Sequence, residues 1–152
     1  MIQGLLNPHH EVHVAYAKKI STKAVLADAP DAVLFGGPRR MGNISYTLRH
    51  WVENYAKLLM AKKIRLKKIA AWETRGEMKE PDKKEGMEWN IYTKNLKTGD
   101  QWKTLIQKVP VDQPPMELLS LIVAGPEEQM GAAKLVPDST SRITEFIQKF
   151  EH

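Results

Sequence analysis

The clearest pattern in the chain is a long amphipathic segment over residues 43–63. Its apolar residues recur every three or four positions, as they do along one face of a helix: Ile44, Leu48, Trp51, Val52, Tyr55, Leu58 and Leu59. Asn43 offers an N-cap side chain, and Lys62 and Lys63 fall in the last turn, where cations complement the helix dipole. The pattern therefore predicts a helix that buries Leu48, Trp51, Tyr55 and Leu59.

Four other segments show the alternation of apolar and polar residues that is typical of strands. They are residues 10–17, 64–72, 88–94 and 101–109. Thr98-Gly99-Asp100 has the composition of a tight turn, which predicts that the last two segments pair as a hairpin. Residues 31–35 are a short apolar run that fits a buried strand or a turn. Gly36-Gly37-Pro38 is predicted to interrupt the chain there.

Three shorter segments are predicted to be helical. Ser21 or Thr22 can cap a helix over residues 23–28. Pro114-Pro115 can open a helix over 116–124, which Gly125 and Pro126 would end. The last helix follows Asp138 and carries its apolar residues on one face: Ile143, Phe146, Ile147 and Phe150.

This element order predicts an α+β fold. A small antiparallel sheet of about three to five strands would be packed by the long central helix and by the C-terminal helices. The 152 residues are expected to form a single domain. Within it, residues 1–37 would be an N-terminal strand and loop region, 43–124 an α-β-β-β-α core, and 138–152 a C-terminal helix.

Composition limits the class of protein. Hydrophobic residues make up 42% of the chain and charged residues 27%, which is typical of a folded protein. The absence of cysteine excludes disulfides, thiolate metal ligands and a cysteine nucleophile. No apolar run is long enough to cross a membrane, and the N-terminus lacks signal-peptide features. We therefore expect a cytoplasmic protein with no membrane partner.

Charge points to an acidic partner, because the formal net charge is +5. Seven cations cluster near the long helix and are predicted to contact nucleic-acid phosphates: Arg39, Arg40, Lys62, Lys63, Arg65, Lys67 and Lys68. Such contacts would position RNA or DNA without reading its sequence. The alternative interpretation is a solvated helix end and edge strand, where lysine discourages aggregation.

Aromatic residues accompany the predicted strands: Trp72, Trp89, Tyr92 and Trp102. Bases of single-stranded RNA often stack on such residues, and Tyr92 is a candidate stacker. A two-residue turn would place Trp89 and Trp102 on one face, whereas a three-residue turn would separate them. The sequence allows both registers. We rank Trp51 and Trp89 above Trp102 and Tyr92 as candidate core residues.

Metal and catalytic signatures are weak. His9, Glu11 and His13 could share a strand face, but residues four apart on a strand lie roughly 13 Å apart, too far for one ion. Gly36-Gly37-Pro38-Arg39-Arg40 could cradle phosphate, yet it lacks the Lys-Ser/Thr of a P-loop. We predict no catalytic residue, no metal and no cofactor, and we favour a non-enzymatic protein.

The leading hypothesis is a basic module that binds the backbone of RNA or DNA, alone or within a larger assembly. The alternative is a structural subunit, such as a viral or ribonucleoprotein assembly component, that binds protein or its own copies. Predicted apolar helices over 116–124 and in the last segment motivate that alternative.

Overall fold

The computed structural model describes residues 6, 8–39, 43–76, 98–124 and 134–152. Its helices are α1 (Thr22–Ala27), α2 (Tyr46–Lys62), α3 (Thr98–Ile106) and α4 (Ser139–Glu151). Its strands are β1 (Ala32–Pro38), β2 (Lys68–Gly76), β3 (Leu119–Ala124) and β4 (Lys134–Leu135). The elements form one sheet with the strand order β1-β2-β3-β4.

The sheet is mainly parallel, so the predicted antiparallel α+β fold is wrong. β1 pairs with β2 in parallel, β2 pairs with β3 in parallel, and only the two-residue β4 runs antiparallel. Helix α2 connects β1 to β2, and α3 lies between β2 and β3. Parallel neighbours need such a crossover, because a tight turn can join only antiparallel strands. The arrangement is of the α/β type.

Two elements have the opposite type from the one predicted. Residues 98–106 form α3, so the predicted strand over 101–109 and its hairpin turn at Thr98-Gly99-Asp100 are wrong. The predicted helix over 116–124 is also wrong, because residues 119–124 form β3. A parallel strand buried on both faces reads as a continuous apolar run, which resembles a buried helix in sequence. The predicted strand over 88–94 lies outside the described residues.

The first part of the chain also differs from the prediction. Residues 11–16 form no regular structure, so the predicted strand over 10–17 is absent. Gly36-Gly37-Pro38 does not interrupt the chain but forms the end of β1. Proline is tolerated there because β1 is the edge strand of the sheet.

The strongest amphipathic patterns were correctly predicted to be helices. The predicted burial of Leu48 and Trp51 is wrong in part, because both are only partly buried, whereas Trp102, which was ranked below Trp51 as a core residue, is buried. Helix α2 ends at Lys62, and Lys63 closes it in the left-handed conformation with φ of 56°. Its N-cap is Ser45, not Asn43. The Ser21 side chain caps α1 by accepting a hydrogen bond from the Ala24 N–H at 3.1 Å. Helix α4 buries Ile143, Phe146 and Ile147.

Helices cover both faces of the sheet. On one face, which we call the α2 face, Val33, Phe35, Ile69 and Ala71 pack against residues of α1, α2 and α3. The opposite face, the α4 face, carries residues from three strands against α4: Leu34, Ala70, Trp72, Leu119 and Leu121. Successive strand residues therefore point to opposite cores. In the part of the chain that the structure describes, no helix is long and apolar enough to span a membrane.

Candidate functional site

The predicted phosphate-binding cations lie at opposite ends of the sheet. Lys67 and Lys68 stand where β2 begins, whereas Arg39 directly follows the end of β1. Since β1 and β2 run in parallel and in register from Ala32 and Lys68, the length of β1 separates the two groups by about 20 Å. One compact ligand cannot contact both. Arg40 and Tyr92 lie outside the described residues, as does Trp89.

Five of the predicted cations meet at the amino end of the sheet, and we call them the basic end: Lys62, Lys63, Arg65, Lys67 and Lys68. Lys67 Nζ lies 2.7 Å from Asp31 Oδ1, and Arg65 Nε donates to Asp112 Oδ1 at 2.7 Å. Arg65 also donates to the Val111 carbonyl. All but the half-buried Lys68 are exposed.

Lys68 has a structural role at this end. Its Nζ donates to the Phe150 carbonyl at 3.1 Å, near the C-terminus of α4. The last carbonyls of a helix have no intrahelical donor and carry partial negative charge, so a lysine satisfies both needs. The contact ties the start of β2 to α4.

A cleft of about 240 Å³ lies beside the basic end. Its apolar lining includes Leu26, Leu59 and the fully buried Tyr55, and its charged lining is formed by the two ion pairs of Lys67 and Arg65. Typical pockets for organic ligands occupy roughly 300–1,000 Å³. The cleft is therefore too small to be the binding site of a large organic ligand.

The Tyr55 hydroxyl is buried, and it has no hydrogen-bond partner among the described residues. Burial raises the pKa of Tyr55 above its ordinary value of 10.0, because the phenolate would lose its hydration. Below pH 10 Tyr55 is protonated in both the folded and the unfolded chain, so its raised pKa leaves the free energy of unfolding unchanged. As pH rises above 10 the unfolded chain releases its proton first, so the free energy of unfolding falls.

Tyr55→Phe is expected to remove the part of the fall in unfolding free energy above pH 10 that Tyr55 causes. At neutral pH the variant should be as stable as the natural chain or more stable by about 1 kcal/mol, because it deletes an unsatisfied buried hydroxyl. Urea unfolding at several pH values between 8 and 11 measures both effects. A loss of about 2 kcal/mol at pH 7 would show instead that the hydroxyl has a stabilising partner.

A buried polar network lies at the carboxyl end of the sheet, and we call Arg39, Glu73, Trp102 and Ser120 the carboxyl-end network. Glu73 Oε2 accepts from Trp102 Nε1 and Oε1 accepts from Ser120 Oγ, both at 3.1 Å. Arg39 Nη1 lies 3.8 Å from Glu73 Oε1. The side chains of Arg39 and Glu73 are only 6% and 3% exposed, so water screens their charges little.

Arg75 adds a second guanidinium to this end. The register pairs Pro38 with Thr74, and the Arg39 N–H donates to the Thr74 carbonyl at 2.7 Å, so Arg39 runs beside Arg75. Burial lowers the pKa of Arg39, the Glu73 carboxylate raises it, and the charge of Arg75 lowers it again. Because guanidinium is such a weak acid, Arg39 keeps its charge at neutral pH.

The network was missed in the sequence because its members come from four separate segments. A usable signal exists in β2, where Glu73 and Arg75 stand two residues apart directly after a run of apolar residues. Charged residues with the period of a strand share one face of it. Once β2 is known to be parallel, those positions fall at the carboxyl end, where ligands of open α/β sheets bind.

The histidines near the N-terminus do not form a metal site in the structure. His13 Nε2 lies 2.9 Å from Glu11 Oε1, and His10 Nε2 lies 3.6 Å from Glu151 Oε1. Within the described ranges, no group of three or more metal-ligating side chains is close enough to hold an ion. These histidines are exposed side chains with carboxylate neighbours.

No protein-family model matches the chain, and neither a curated protein nor a solved structure shows significant similarity to it.

Proposed function

We propose that the protein binds the phosphate backbone of nucleic acid through the basic end. The observation that carries the proposal is the convergence of five cations from the end of α2 and the start of β2 on one end of the sheet. Only two carboxylates, of Asp31 and Asp112, pair with them in the described part of the chain. Five positive charges against two negative charges favour a polyanionic partner.

The two ion pairs do not block such binding. Asp31 and Lys67 are 74% and 71% exposed, and Asp112 and Arg65 are 55% and 57% exposed. Exposed pairs contribute about 0–1 kcal/mol, so exchanging a carboxylate for a phosphate costs little. Phosphate can also accept two parallel hydrogen bonds from the Arg65 guanidinium.

Part of the apolar surface that suggested an assembly subunit lies inside the fold. Leu119 and Leu121 of β3 are buried, and they pack with Ile143 and Ile147 of α4. These four side chains are therefore weak support for a protein-binding surface, and we propose nucleic-acid backbone binding.

The test neutralises Lys62 and Lys63, the two basic-end lysines whose side chains form no ion pair or hydrogen bond within the described ranges. Lys62→Gln with Lys63→Gln should weaken binding to a generic oligonucleotide and reduce the slope of log affinity against log salt by about 2 for duplex DNA. Fluorescence anisotropy between about 50 and 200 mM salt measures both quantities. Lys67 and Lys68 are left intact, because Lys67 pairs with Asp31 and Lys68 with α4.

A matched control makes the same charge change elsewhere. Arg49→Gln with Lys103→Gln alters two exposed cations, and Arg49 lies about 20 Å from Lys62 along α2. This control should keep the natural affinity and salt slope. An equal loss of affinity in both double variants would mean that net charge alone causes the effect. Absence of binding by the natural chain at about 50 mM salt would refute the proposal.

Lys63→Gly separates binding from stability. Lys63 has a φ of 56°, a conformation that costs an ordinary residue about 1 kcal/mol but costs glycine little. The variant should therefore unfold at a higher temperature while binding the oligonucleotide more weakly. Weaker binding in a more stable protein cannot be attributed to partial unfolding.

A further inference from the structure

We propose that the basic end binds nucleic acid as a single strand, whose unpaired bases enter two small clefts on either side of Arg65. This inference rests on the backbone binding proposed above, and it names the form of nucleic acid that the same site takes. The observations that carry it are the position of the clefts, the apolar residues that line them and the contacts that hold Arg65 in place.

Two clefts lie next to each other at the amino end of the sheet. The first is the cleft of about 240 Å³ beside the basic end, and we call it the Tyr55 cleft. The second has a volume of about 320 Å³, and we call it the proline cleft because of its lining: Arg65, Gln107, Val109, Pro110, Val111 and Pro115. Arg65 lines both clefts, so they share its side chain as a common wall.

The clefts offer apolar surface inside a charged region. Ile64 lines the Tyr55 cleft and is 41% exposed. In the proline cleft, Pro110 and Val111 are partly buried and Pro115 is exposed. A flat apolar ligand would remove this surface from water, which is favourable. The faces of nucleic-acid bases meet that need, whereas the phosphates meet the need of the surrounding cations.

Arg65 is held in place between the two clefts. Its Nε donates to Asp112 Oδ1 at 2.7 Å, and its Nη2 donates to the Val111 carbonyl. Both acceptors belong to the segment beside Leu66, which forms an isolated parallel bridge with Val111. A guanidinium held by its edge keeps its flat faces, and unstacked bases commonly stack on such planes. A base in either cleft would be a neighbour of this group.

The size of the clefts favours a single strand over a duplex. Pockets for organic ligands occupy roughly 300–1,000 Å³, so volumes of about 240 and 320 Å³ suit one flat heterocycle each. In a duplex the bases are paired and stacked, and only its phosphates would reach the basic end. Proteins that bind single strands combine cations for the backbone with side chains that contact the bases. A single strand can therefore use both the cations and the clefts.

The experiment measures the affinity of the full chain for three oligonucleotides of equal length by fluorescence anisotropy. They are a single strand of thymidine nucleotides, the same single strand without bases, and a duplex. The strand with bases should bind about tenfold more tightly than the abasic strand, because only the former fills the clefts. The salt slopes of these two strands should agree, since their phosphates are the same.

Ile64→Gln changes the lining of the Tyr55 cleft without changing the charge. This variant should lose several-fold in affinity for the thymidine strand and keep the natural affinity for the abasic strand and the duplex. Met60→Gln is the matched control, because Met60 is 54% exposed but belongs to the lining of neither cleft. The control should keep the natural preference for bases.

Equal affinity of the natural chain for the thymidine and abasic strands would overturn base binding and leave backbone binding in place. A preference for bases that Ile64→Gln does not reduce would overturn the assignment to the clefts. If no strand binds at about 50 mM salt, backbone binding itself is refuted, and base binding with it. NMR of the natural chain with the thymidine strand should show nuclear Overhauser contacts between base protons and the methyl groups of Ile64 and Val111. Their absence would overturn the assignment even if Ile64→Gln does not fold.

Discussion

Trp102→Ala is expected to lower the free energy of unfolding by about 3–5 kcal/mol, because it removes a large side chain from the core. Trp102 is 2% exposed and packs from α3 onto the cluster beneath α2. The substitution also takes the Nε1–H donor away from the buried Glu73 carboxylate. Guanidinium-chloride unfolding followed by circular dichroism measures the loss.

Trp102→Phe removes the hydrogen bond to Glu73 but keeps an aromatic ring and most of its packing. A hydrogen bond to a charged group contributes about 1.5–3 kcal/mol, so this variant should lose at least that much. Trp51→Phe is a matched control, because the Trp51 Nε1–H donates at 2.8 Å to the neutral Ile20 carbonyl. Its loss should be smaller, about 0.5–1.5 kcal/mol from the hydrogen bond. Equal losses would contradict a special contribution from the Glu73 charge.

The local amphipathic patterns predicted the elements that pack one face against a core. Helix α2 was found from the spacing of Val52, Tyr55 and Leu59, and all three side chains are fully buried. Helix α4 was found in the same way. A helix with one buried face carries its period in the sequence, so no knowledge of its neighbours is needed.

Elements that depend on their neighbours were not predictable in this way. Trp102, Leu105, Ile106 and Val109 have helical spacing, yet the turn residues before them favoured a hairpin. In β3, Leu119 and Leu121 are buried and Ile122 on the other face is partly buried, so apolar residues stand on both faces and the sequence lacks clear alternation. Strand direction also follows from the crossovers through α2 and α3, which a strand sequence does not record.

The candidate sites also differ in whether their residues are neighbours in sequence or are brought together by the fold. Lys62, Lys63, Arg65 and Lys67 are neighbours in sequence, so the cluster at the basic end was visible without a fold. Arg39 was grouped with them because it precedes α2, but the parallel register places it at the other end of the sheet. Its proximity to Glu73 and Arg75 depends entirely on the pairing of β1 with β2.

Gly36→Ala is expected to lower the free energy of unfolding by at least about 1–3 kcal/mol, the range for an overpacked core. Gly36 pairs with Trp72 in the register of β1 and β2. A Cβ built on Gly36 would lie 2.0 Å from Trp72 Cε2 and Nε1 and 2.3 Å from Cδ1. The indole lies against the glycine on the α4 face, so the ring must move before a methyl group fits.

Gly37→Ala serves as the control for backbone effects. It is the next residue of the same strand, and among the described residues its added Cβ would meet only the Leu48 side chain, at 3.7 Å. Ordinary van der Waals contact should leave the stability of this variant close to that of the natural chain. Urea unfolding of both variants therefore separates the clash with Trp72 from the general cost of replacing glycine in β1.

Combining Gly36→Ala with Trp72→Leu tests the physical cause. If the clash causes the loss, the double variant should be more stable than the sum of the two single losses predicts, with a coupling energy of about 0.5–3 kcal/mol. Trp72 is only partly buried, so leucine at this position keeps contact with the α4 core while clearing space over Gly36. Strictly additive losses would mean that Gly36 is required for its backbone and not for the ring that covers it.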